Sequence, residues 1–121
     1  MKSKILLVLL GLNLVGCQTT NYQASEPTAT VEDIQNLQQQ FSDISDMSVT
    51  DEGVVKYSRW VPEGYKWDVV SSRKSAYQYS CVDALPLLEA GFIIEIHLKG
   101  KGGRIHHYDL NRCTLSSSDN M

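Results

Sequence analysis

The chain has 121 residues, of which 42 % are hydrophobic, with 11 Lys and Arg against 14 Asp and Glu for a net charge of −3. That length supports one modest hydrophobic core and excludes a multi-domain enzyme, and the acidic balance argues against nucleic acid as a partner. No Gly-x-Ser-x-Gly elbow, phosphate-binding loop or His-Glu-x-x-His zinc motif occurs, and no serine has an evident base partner, so no enzyme activity is expected.

The N-terminus carries the most specific signal. Lys2 and Lys4 precede an apolar run from Ile5 to about Leu14, which closes in Leu14-Val15-Gly16-Cys17. The run is about 12 residues long where a membrane-spanning helix needs about 20, and it ends in a small residue before cysteine. This pattern resembles bacterial lipoprotein signals. The resemblance implies removal of residues 1–16, acyl chains such as palmitate on Cys17, and, since Gln18 rather than Asp follows, the outer membrane with the domain facing the periplasm. The mature chain would begin at Cys17 and lose Lys2 and Lys4, leaving 9 basic against 14 acidic residues.

Residues 17–30 form the next unit: the lipidated cysteine and a run of Gln, Thr, Asn, Ser and Ala without apolar periodicity, expected as a flexible tether. The domain proper is expected over 31–115, with 116–121 as a disordered tail. Thr30 is a plausible N-cap, Glu32 and Asp33 suit a helix start, and Val31, Ile34, Leu37, Phe41 and Ile44 line one stripe. From Met47 the pattern shifts to strands: Met47–Thr50, Val54–Val61 and, after Pro62-Glu63-Gly64, Tyr65–Val70, predicting a three-strand antiparallel meander.

The stretch Cys81–Ala90 suits a helix capped by Gly91, either kinked at Pro86 or beginning near Leu85 with Pro86 in its first turn. Phe92–Lys99 and Arg104–Cys113 then flank Gly100-Lys101-Gly102-Gly103 as a hairpin, with Phe92, Ile94, Ile96 and Leu98 facing inward. Ile105 conflicts in phase with Tyr108 and Leu110, which predicts a bulge near His106-His107. The expected fold class is therefore α+β: a small antiparallel sheet of about five strands, with helices packed on it.

With Cys17 assigned to lipid, Cys81 and Cys113 remain as a pair in an oxidising compartment, and a structural disulfide is expected. A metal or redox pair is the alternative, but no Cys-x-x-Cys occurs. His97, His106 and His107, with Glu95 nearby, are weak candidates for zinc or copper. Adjacent strand residues point to opposite faces, so solvated positions on an outer sheet face are expected for them, and no cofactor is expected. With Lys99, Lys101, Arg104 and Arg112 they form a locally basic corner. Trp60, Trp67, Tyr57, Tyr65, Tyr77 and Tyr79 are candidates for a binding groove, although aromatics at such spacings more often belong to a core.

Tyr79-Ser80-Cys81, then Leu88-Glu89-Ala90-Gly91-Phe92-Ile93-Ile94-Glu95-Ile96, the glycine turn and Cys113 resemble the C-terminal half of AspS-type pilotins, small lipoproteins of type II secretion systems. The resemblance covers about 35 residues and otherwise the layout of the chain. It implies a non-enzymatic protein-transport role: binding the C-terminal segment of a secretin subunit, which folds as a helix in a groove, and carrying it to the outer membrane. An envelope lipoprotein of another binding or structural accessory class is the alternative.

Overall fold

The computed structural model describes residues 22–118. The signal sequence and Cys17 lie outside the described residues, as does the start of the expected tether. The element order is α1 (Val31–Gln40), β1 (Met47–Val49), β2 (Val54–Trp60), α2 (Val69–Tyr77), a π-helical stretch (Gln78–Asp83), α3 (Leu85–Glu89), β3 (Ile93–Lys99), β4 (Arg104–Tyr108) and α4 (Leu110–Ser118). The class is α+β, as expected, but the sheet has four strands rather than five and is mixed rather than antiparallel. Its order is β1-β2-β3-β4, with β2 and β3 parallel and the outer pairs antiparallel.

The missing strand is Tyr65–Val70. Its composition suits a strand, but Asp68 accepts a hydrogen bond from the Ser71 N–H at 2.8 Å and caps α2, so Val69 and Val70 start a helix instead. Just upstream, Trp67 donates its backbone N–H to the Lys101 carbonyl (2.9 Å) and its indole N–H to the Lys99 carbonyl (2.7 Å). The chain is thus pinned to the end of the β3–β4 hairpin. With no third meander strand, β2 pairs with β3 from Val54↔Ile93 to Trp60↔Lys99.

Strand alternation then sorts the side chains into two faces. Inward rows read Val49, Val55, Ile94, Tyr108 and, one step on, Met47, Tyr57, Ile96, His106. Val55, Ile94 and Tyr108 are completely buried, joined in one core by Ile34 and Leu37 of α1, Ala76, Leu88, Phe92 and Leu98. The other face carries Lys56, Ser58, Glu95, His97, Ile105 and His107. Thr30 caps α1 as expected, its Oγ1 accepting from the Asp33 N–H at 3.1 Å. Pro86 sits in the first turn of a short α3, where its missing donor breaks no helical bond.

The β3–β4 register runs unbroken from Leu98↔Arg104 to Ile94↔Tyr108, so the bulge expected at His106-His107 is absent. The phase conflict has another origin: β4 ends at Tyr108, and Leu110 already belongs to α4. Asp109 ends the strand and caps that helix, its Oδ1 accepting from the Arg112 N–H at 2.8 Å. Cys113 therefore lies in a helix, and α4 continues through Ser118 where the tail was expected to begin. Residues 119–121 lie outside the described residues.

Cys81 and Cys113 are bridged, with Cα atoms 5.5 Å apart. The bond joins the π-helical stretch to α4 and closes a loop with sequence separation 32. By chain entropy such a loop is worth about 3 to 4 kcal/mol. The double substitution Cys81→Ser/Cys113→Ser is expected to lower the melting temperature by at least about 10 °C, measured by circular dichroism under oxidising conditions.

Candidate functional site

The crossover from β2 to β3 lays α2 and the π-helical stretch across the inner face without filling it. Between them and the second halves of β2 and β3 lies a groove of about 550 Å³. Its floor is Ile96 and Leu98, both buried, and its walls are Tyr57, Trp60, Trp67 and Tyr79. Arg59 and Asp83 add one charge of each sign at its rim, and Pro62 closes one end.

Each aromatic wall has an identifiable support. Tyr57 and Tyr79 stack with ring centroids 4.7 Å apart and planes 16° from parallel, fixing the π-helical stretch over β2. Burial, followed by the charges of Tyr57, Asp46 and Asp83, pushes the Tyr79 pKa up to about 12, so its hydroxyl remains protonated. Trp67 is held through the two bonds to the hairpin described above. Trp60, by contrast, ends β2 with 68 % of its surface exposed, its ring 5.7 Å from the Lys99 ammonium. Trp60 alternates in phase with Lys56 and Ser58 and also lines the outer-face hollow of His97, Lys99 and Ile105, so it edges the groove at the strand end.

The histidines do not converge. His97 and His107 lie on the outer face, where His107 Nε2 is 3.3 Å from Glu95 Oε1 across the β3–β4 pair. His106 lies on the opposite, inner face at 2 % exposure, contrary to the solvated position expected for it. Among the described residues no three His, Cys, Asp or Glu side chains are grouped as metal ligands. The basic corner is likewise divided: Lys99, Lys101 and Arg104 lie at the hairpin end. Arg112 belongs to α4, donating to the His107 carbonyl at 2.8 Å and lying over the Tyr108 ring at 4.2 Å.

Of the six aromatic candidates, Tyr57, Trp60, Trp67 and Tyr79 meet at the groove. Tyr65 points to solvent at 70 % exposure, and Tyr77 packs against the core. Arg59 and Asp83 escaped the sequence reading because only the parallel β2–β3 pairing and the π-helical stretch bring them to one rim. Compared with known proteins, the chain matches no family model, no curated protein and no solved structure.

Beneath the sheet, His106 is a buried base without a partner: neither ring nitrogen is hydrogen-bonded. Burial, then the charges of Arg112, Arg104, Arg73 and His107, pulls its pKa down to about 4. The unfolded chain takes up this proton near the ordinary value of 6.5, whereas the folded chain resists it down to about 4. Stability is thus full above pH 6.5 and falls progressively between pH 6.5 and 4. His106→Leu is expected to flatten this acid limb, read as melting temperature against pH. An unchanged slope would place the acid sensitivity elsewhere.

Proposed function

We propose that this chain is an outer-membrane lipoprotein, anchored by acyl chains on Cys17, whose periplasmic domain binds a helical segment of a protein partner in the aromatic groove. The partner class we favour is the C-terminal segment of a secretin subunit, which makes the chain a pilotin of a type II secretion system. The observation that carries this reading is the groove itself: an apolar floor of Ile96 and Leu98 between aromatic walls, the chemistry that receives the apolar face of an amphipathic helix. Its charged rim, with Arg59 on one side and Asp83 on the other, offers polar contacts that orient such a helix. A segment that folds only when held there suits a domain that must bind early and release at assembly. The lipid-modification signal supplies the transport: whatever the groove holds travels with Cys17.

Trp60 and Trp67 are the two tryptophans of the chain, and both line the groove, so intrinsic fluorescence reports on it directly. Titrating residues 18–121, without the apolar signal and the acyl chains, with a secretin C-terminal peptide is expected to shift the emission to the blue. Trp60→Ala is expected to weaken that binding about threefold, as for an aromatic at the edge of the groove, while leaving the melting temperature unchanged. Deletion of the protein is expected to leave unassembled secretin in the inner membrane. Normal secretin assembly without it would end the pilotin reading.

A further inference from the structure

The segment Tyr22–Thr30, which joins Cys17 to α1, does not hang away from the domain. The buried Asp109 carboxylate accepts three hydrogen bonds from it: Tyr22 Oη at 2.7 Å, the Ser25 N–H at 3.0 Å and Ser25 Oγ at 3.0 Å. Asn111 Nδ2 donates to Tyr22 Oη at 3.4 Å, and the Arg112 guanidinium lies 5.4 Å from the Tyr22 ring. Further along, the Thr28 N–H donates to the Gly91 carbonyl at 2.8 Å. Gly91 has φ +99°, and a Cβ there would lie 2.8 Å from the Ala29 backbone nitrogen, so a side chain at 91 would push the segment off. The same carboxylate caps α4, which ties the strap to the helix that holds Cys113.

The strap binds one end of the sheet. Asp109 and Gly91 adjoin the Ile93–Tyr108 end of β3 and β4, whereas Trp60, Lys99 and the hairpin turn lie at the other end. A seven-residue strand separates the two ends by about 20 Å. From Cys17 to the first clamped residue, Tyr22, the chain can reach at most about 17 Å, whereas from Cys17 to Thr30 with the strap released it would reach about 45 Å.

We propose that Asp109 clamps the Tyr22–Thr28 strap so that the end of the domain carrying Tyr22, Leu110 and Asn111 faces the bilayer, and the aromatic groove opens at the end farther from it. The partner of this surface is the lipid headgroup layer, and the assignment rests on lipidation of Cys17 as proposed above. Leu110, 44 % exposed beside Asn111, gives this end an apolar contact for it. Burial of Asp109 opposes its charge, but the bonds from the Ser25 N–H, Tyr22 Oη and the Arg112 N–H outweigh burial and hold its pKa below the ordinary value. Burial and the neighbouring carboxylate raise the Tyr22 pKa, which keeps its hydroxyl a donor. At neutral pH Asp109 is therefore an acceptor and Tyr22 a donor, the protonation states these hydrogen bonds require.

The full lipidated chain is to be reconstituted in phosphatidylethanolamine–phosphatidylglycerol vesicles containing a headgroup-labelled acceptor lipid. A donor dye is placed on an added cysteine at Glu89→Cys, near the clamp, or at Lys101→Cys in the hairpin turn; both positions are exposed. Energy transfer is expected to be at least about twofold greater from position 89 than from 101, given a separation of about 20 Å. Tyr22→Phe/Ser25→Pro deletes all three strap bonds to Asp109 while sparing the cap of α4, and is expected to bring the ratio close to one. Asp109→Ala is expected to do the same. Equal transfer in the parent chain, or an unchanged ratio in the strap variant, overturns the clamp. Failure of the parent to float with vesicles, where Cys17→Ser would behave identically, instead overturns the lipid anchor and this orientation with it.

Discussion

The parallel pairing of β2 with β3 is the constraint on which the rest of the domain depends. Antiparallel neighbours can be joined by a tight turn, but parallel neighbours oblige the chain to travel back along the whole sheet before the second strand begins. Residues 61–92 make that journey, and in doing so they supply α2, the π-helical stretch and α3. The stacking of Tyr79 on Tyr57 and the position of Cys81 beside Cys113 both follow from where this crossover lies. So does the groove, which is the part of the inner face the crossover passes over without sealing.

Covering only one face of a four-stranded sheet leaves a small core, and that core contains polar groups. His106, Ser72 and Ser80 are buried without hydrogen-bond partners for their side-chain polar atoms, as is the Tyr108 hydroxyl. Each such group costs on the order of 1 to 3 kcal/mol relative to a paired one. Covalent closure of the crossover onto α4, of the order of 3 kcal/mol, therefore matters more here than in a domain with a wholly apolar interior. The bridge sits where it helps most, because it fixes the long β2–β3 connection against the last of the described elements.

What could be read from the sequence divides by range. Thr30 as a cap, Gly91 ending a helix and the glycine hairpin are decided by residues within a few positions of each other and are found as expected, while of the two placements open to Pro86 the structure has the first turn of α3 and not a kink. Tyr65–Val70 as a whole, and Arg104–Cys113 beyond Tyr108, depart from the expected strands for a common reason. Tyr65–Val70 and Arg104–Cys113 have β-rich composition, yet each contains an aspartate whose carboxylate meets the N–H three residues on, at Ser71 and at Arg112. A side-chain cap outweighed β-propensity in both places. The pairing of β2 with β3, and with it the gathering of four aromatics and two opposite charges into one groove, is non-local and left no mark in any short window. The aromatics themselves were visible; their convergence was not.

Asp109 links these levels. It ends β4, begins α4 and holds the strap with a single carboxylate, so the point where the N-terminal segment leaves the domain is set by the same residue that sets the position of Cys113. The strands then act as a spacer. The strap occupies one end and the groove runs from mid-strand toward the other, and the sheet is stiffened by a continuous hydrogen-bonded ladder across β2, β3 and β4. With Cys17 acylated as proposed, orientation relative to that anchor follows from where the strap is clamped. In the pilotin reading, a helix held by Tyr57, Trp67 and Tyr79 lies about 10 to 20 Å from the clamped end, between mid-strand Tyr57 and the hairpin that pins Trp67, clear of the headgroups, where the rest of a secretin subunit has room to assemble.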